Sequence, residues 1–158
     1  MNVIKEEIEA DKWKKTIMKR GKEMYEFEVE GNIVGKQRPR VNMYTGNVYT
    51  PNKTKDYEEW IKQSFFLKYP KFEILENRVS IEIIAYLKIP KNTSKVKTNE
   101  MLENKISPLK KPDIDNIGKI VLDALNKYVI KDDIQVSKIN IEKKYSEEEK
   151  LYIKIEEY

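Results

Sequence analysis

The stretch KPDIDNIGKIVLDALNKYVIKDDIQV, residues 111–136, constrains the fold more tightly than any other part of the chain. Ile117, Ile120, Val121, Ala124 and Leu125 recur at helical spacing and form one continuous apolar face, predicting a helix over about 115–127. That face has to pack on a sheet. Asp115 and Lys119, four residues apart, are then neighbours on the opposite side, with Asn116 and Asp123 flanking them. The helix therefore presents these polar groups as a set instead of burying them.

A sheet to receive that face is legible elsewhere. Residues 79–89 (VSIEIIAYLKI) are the strongest strand signal, and 25–30 (YEFEVE) alternates as a strand. Further strands are expected near 134–144 and 150–156. Residues 41–49 (VNMYTGNVY) predict a hairpin turning at Thr45-Gly46-Asn47, and a helix is expected from about 54 to 68. Residues 90–111 are polar and Lys-rich and read as a long loop. The expected fold class is α+β: a single domain with a mixed sheet of four or more strands and helices mainly on one face. The domain occupies residues 23–158, preceded by an N-terminal helical extension at 1–22.

What the chain lacks narrows its chemistry. It contains no Cys and no His, so disulfides, thiol nucleophiles, Cys- or His-based zinc sites and imidazole bases are excluded. An enzyme built from it must use carboxylates, Lys, Tyr, Ser/Thr or a metal held by oxygen, which suits Mg²⁺ or Mn²⁺. No apolar run is long enough to span a bilayer, and the amino terminus carries acids without an apolar core, unlike a signal peptide. The expected location is the cytoplasm. The net charge is only +4, but residues 33–55 hold Lys36, Arg38, Arg40, Lys53 and Lys55 with no acid, whereas residues 140–158 are acidic. This suggests one positively charged face. Because most of the basic residues are lysines, ordinary solvated surface explains such runs equally well.

The acids of the 111–136 stretch admit two readings. Asp115 could cap the helix, Asp113 could favour its dipole, and Asp115–Lys119 could be a surface ion pair. Together, Asp113, Asp115 and an Asp of the pair 132–133 could instead converge on a divalent cation, without which their repulsion would be costly. An EF-hand is excluded, because Ile117 and Ala124 stand where ligands are required. A second wiring remains open, with Pro112-Asp113 and Glu142–Lys144 forming a PD…ExK nuclease pattern.

KPDIDNIGKIVLDALN…DDIQV is similar to the signature of the RusA family of Holliday junction resolvases. These are small dimeric magnesium-dependent endonucleases, often encoded by phages and prophages. GKQRPRVNMYTGNVYTP at 35–51 resembles the amino-terminal segment of the phage-type branch. The resemblance implies metal ligands at Asp113, Asp115 and Asp133 and a catalytic lysine at Lys119. Asp132 is the alternative to Asp133, and Asn116 and Asp123 are supporting residues. Lys36, Arg38 and Arg40 alternate along the chain and, with Lys110 and Lys111 of the Lys-rich loop, are candidate phosphate contacts. The implied cofactor is Mg²⁺, with Mn²⁺ as a substitute. The implied partner is branched DNA, with no membrane involved. Paired symmetric cuts in a two-fold junction call for a homodimer. A branched-DNA-binding module without cleavage, or a nuclease for flaps or forks, would carry the same pattern. Tyr44 and Tyr49 read more readily as hairpin packing residues than as DNA contacts.

Overall fold

A strand that is apolar at every second residue and β-branched over much of its length belongs in the middle of a sheet. In the computed structural model, which describes residues 23–158, the segment Val79–Lys88 takes that position. The expected helix at 1–22 lies outside the described residues.

The elements in chain order are β1 (Glu23–Glu30), β2 (Arg40–Val41), β3 (Val48–Tyr49), α1 (Asn52–Lys68), β4 (Val79–Lys88), α2 (Lys95–Leu102), α3 (Ile114–Leu125), a 3₁₀ turn (Asp133–Gln135), β5 (Val136–Ser146) and β6 (Lys150–Glu157). The main sheet runs β1-β6-β4-β5. β6 is antiparallel to both β1 and β4, while β5 lies parallel to β4 with Ile83 opposite Ile141. The sheet is therefore mixed, and the fold is the expected α+β domain.

The core lies between one face of this sheet and α1 and α3. Val79, Ile81, Ile83, Ala85 and Leu87 of β4 point into it with Leu151, Ile153 and Ile155 of β6 and Phe27 and Val29 of β1. From α1, Thr54, Tyr57, Ile61 and Phe65 turn inward at helical spacing. Phe65 meets Phe72 edge-on, with ring centroids 4.7 Å apart, an arrangement aromatic pairs favour. From α3 come Ile117, Ile120, Val121, Ala124 and Leu125, the same face that periodicity picks out. Gly118, a poor helix former, has a packing reason: a Cβ there would stand 2.7 Å from Ile141 Cδ1. The glycine lets α3 approach β5 closely.

Two expectations need correction. Residues 90–111 are not loop throughout, because α2 forms at Lys95–Leu102, started by Ser94, whose hydroxyl accepts from the Lys97 amide. None of its residues is buried, so no apolar stripe signals it. β5 begins at Val136 and not 134, because Asp132 forms a reciprocal capping box with Gln135 and winds residues 133–135 into the 3₁₀ turn. Among the described residues no helix is long and apolar enough to cross a membrane.

Candidate nuclease site

α3 begins at the mouth of an open cavity of about 880 Å³. One wall is the start of the helix, with Asp113, Asp115, Asn116 and Lys119. The other is the irregular segment Ile33–Arg40, joined by Lys53 and Lys111. The walls are tied together where the Lys36 amide donates to the Asn116 carbonyl at 2.9 Å. Gly35 makes that approach possible, since a Cβ there would fall 2.9 Å from Pro112 Cβ and 3.1 Å from Asn116 Cβ. Gly35→Val should therefore force the walls apart and destabilise the chain by roughly 1–3 kcal/mol, the usual cost of overpacking. Urea denaturation of the two forms checks this.

Asp113 is the N-cap residue of α3, yet its carboxylate makes no capping hydrogen bond. Asp115 sits in the first turn, where the positive end of the helix favours an anion. Its Oδ2 lies 3.5 Å from Lys119 Nζ, and both side chains are largely exposed. The two acids and the lysine thus share one wall, with Asp115 and Lys119 paired as helical spacing predicts. The sequence suggests Asp115 as the cap, but the cap position falls earlier, on Asp113, because the helix already starts at Ile114, and the Asp113 side chain does not perform that role.

The basic residues divide. Arg38, Arg40, Lys53 and Lys111 line the cavity around the two acids. Lys36 lines it as well, but its ammonium is held at 2.6 Å by Glu58 of α1 and at 2.7 Å by Asp123 of α3. Burial works against that charge, and the hydrogen bonds to Asp123 and Glu58 outweigh it and raise the lysine's pKa. Lys36 and Asp123 therefore clamp the segment onto both helices, a role the alternating basic pattern did not reveal. Lys110 turns to the end of β4, where its ammonium donates to the Lys88 carbonyl at 3.1 Å.

The third carboxylate is not in the cavity. Gln135, two residues after Asp133, donates to the carbonyls of Leu75 and Asn77 just before β4, whereas Lys110, three residues before Asp113, contacts the end of β4. The twelve residues of α3 alone span ~18 Å between these ends. Among the described residues no three carboxylates stand close enough together to hold a cation.

Asp132 and Asp133 have different situations. Lys127, then the Ile134 amide, hold the Asp132 carboxyl down to about 2, so that side chain is part of the turn. Asp133 is exposed. The PD…ExK wiring is not assembled either. Glu142 and Lys144 stand on β5 opposite Ile84 and Tyr86, on the face away from the core, and neither lines the cavity.

As a donor set, Asp113 and Asp115 fit a hard cation such as Mg²⁺, which takes oxygen ligands and keeps several waters. They do not suit a softer metal, for which the chain has no nitrogen or sulfur ligand to offer.

Residues 30–156 match the family described as Endodeoxyribonuclease RusA. The chain is also 34% identical over 135 residues to the uncharacterised protein YqaN of Bacillus subtilis strain 168, covering 83% of this chain and 94% of that protein. The family match takes in both walls of the cavity, α3 and the Asp132–Asp133 turn, and this chain belongs to the RusA endodeoxyribonuclease family.

Proposed function

We propose that this chain is a metal-dependent, structure-specific DNA endonuclease that resolves four-way junctions by paired phosphodiester hydrolysis, acting as a homodimer. The observation that carries this reading is that Asp113, Asp115 and Lys119 share one wall of a cavity whose other charged groups are all cations, in a chain of this family.

Mg²⁺, or Mn²⁺ in its place, would be held by Asp113, Asp115 and Asp133. When bound, it supplies Lewis-acid polarisation of the phosphate and lowers the pKa of a bound water. The chain's own groups do the rest. Arg38, Arg40, Lys53 and Lys111 draw the phosphate backbone into the cavity and fix its register. Lys119, beside Asp115, stabilises negative charge that develops on the phosphoryl group or leaving oxygen. Lys36 acts through position, holding the wall that carries Arg38 and Arg40.

The ligand set and the dimer support one another. Asp133 stands at the far end of its own protomer, so three carboxylates can converge only if the third is Asp133 of the partner subunit. The surface at both ends suits such an interface. Leu109 is 98% exposed and Ile114 46% exposed near Asp113, and Ile134 is 88% exposed beside Asp133, apolar area that an interface at these ends would remove from water.

The test is cleavage of a labelled synthetic four-way junction beside a linear duplex of the same sequence, with Mg²⁺, with Mn²⁺ and with EDTA. Symmetric nicks in the junction that depend on the metal are expected. Tight junction binding without cleavage in either metal would point to a binding module, and cleavage of flaps or forks in preference would reassign the substrate.

A further inference from the structure

The β2–β3 hairpin stands beside the cavity without a core beneath it. All four of its strand residues, Arg40, Val41, Val48 and Tyr49, are exposed. At its tip Tyr44 is 100% exposed and Met43 90%. Sequence reading assigns Tyr44 to packing within the hairpin, but the ring packs on nothing.

The tip is nevertheless built. The Asn42 side chain accepts from the amides of Tyr44 at 2.9 Å and Thr45 at 3.2 Å. The Gly46 amide donates to the Asn42 carbonyl and the Asn42 amide to the Asn47 carbonyl, both at 2.8 Å. Gly46 takes φ +70°, a conformation glycine adopts without strain. These hydrogen bonds fix the backbone that carries Tyr44, so less backbone freedom is lost when the tip meets a ligand.

The surroundings identify the ligand's chemistry. Residues 33–55 carry five cations and no acid, and Arg38 and Arg40, at the root of the hairpin, also line the cavity with Asp113 and Asp115. A two-stranded ribbon of this width enters a DNA groove. A flat ring at the end of a cationic arm matches the face of a nucleobase, which stacks on aromatic side chains whatever its sequence. In intact duplex that face is covered by its neighbours. At a branch point it can be uncovered at lower cost.

Resting on the endonuclease reading above, we infer that the hairpin is a branch-point probe, in which Tyr44 stacks on a nucleobase unstacked at the crossover while Arg38 and Arg40 hold the adjacent backbone. Tyr44 is a specificity-determining residue in this account. It carries no step of the hydrolysis.

The test compares wild type with Tyr44→Ala, Tyr44→Phe and Tyr44→Trp for binding, in EDTA, to a four-way junction and to linear duplex. The junction carries 2-aminopurine at the branch point. Loss of base stacking predicts roughly 5–150-fold weaker junction binding for Tyr44→Ala, little change on duplex, and loss of the wild-type fluorescence change at the branch point. Tyr44→Phe and Tyr44→Trp should keep both. Thermal unfolding and oligomeric state should be the same in all four proteins, because the ring touches nothing in the chain. Equal junction binding by Tyr44→Ala and wild type would overturn the inference alone. So would a shift in oligomeric state, which would make the tip a contact between copies. A wild-type chain that binds no branched DNA would overturn the functional reading and this inference with it.

Discussion

Asp113→Asn should lower junction cleavage well over ~100-fold while junction binding stays intact or tightens. Removing even an outer hydrogen-bond partner of a metal ligand typically costs about 10–100-fold, and under the proposed reading a carboxylate ligand itself is lost. The change is nearly isosteric, and Asp113 makes no capping hydrogen bond that the amide would fail to replace, so the fold has little to lose. Removing one negative charge from a cavity that must accept phosphate favours binding. If the carboxylate were only a helix cap, the outcome would be reversed, with lower stability and unchanged cleavage. Cleavage rates and junction affinity in EDTA, measured on the same preparation, separate the two.

Asp133→Asn should have an effect of the same size, although the residue lies at the opposite end of its own protomer. The neighbouring change Asp132→Asn should act differently. Asp132 is bound to Lys127 and to the Ile134 amide and closes the capping box with Gln135, so its loss loosens the turn that presents Asp133. The carboxyl is held at about 2, below its ordinary value near 3.8. It therefore contributes stability that is present above pH ~4 and disappears as the pH falls toward 2. Asp132→Asn should remove that acid-dependent part of stability and reduce cleavage only in proportion to the disorder it causes. Cleavage assays on the two variants, with acid unfolding curves for Asp132→Asn, check the contrast.

The difference between these two neighbouring acids shows how far the sequence can be read. α3 and the grouping of Asp115 with Lys119 are legible because five apolar residues at helical spacing leave the polar face no other place to go. β4 is legible for the same reason, at period two. α2 is not, because a helix lying on the surface with no buried side chain has no periodic signal to give. That Asp113 and Asp133 do not meet within one protomer could not be judged from their separation along the chain. It depends on the parallel pairing of β5 with β4, which sends the start of β5 back to the end of the sheet where β4 begins. The clamp on Lys36 was equally hidden. Its two carboxylates come from different helices, and a cation in a basic run looks the same in sequence whether it meets phosphate or Glu58.

The most direct measurement mixes two inactive proteins. Asp113→Asn and Asp133→Asn protomers, each without activity alone, are co-refolded or allowed to exchange subunits, and the mixture is assayed on a labelled four-way junction with Mg²⁺. If each site draws Asp113 and Asp115 from one protomer and the third carboxylate from the other, the mixed dimer gathers both substitutions into one site and leaves the second intact. Cleavage should return, as single nicks in place of paired ones. If each protomer builds its own site, every site in the mixture stays damaged, and a mixture as inactive as its parents, in demonstrably mixed dimers, would contradict the account.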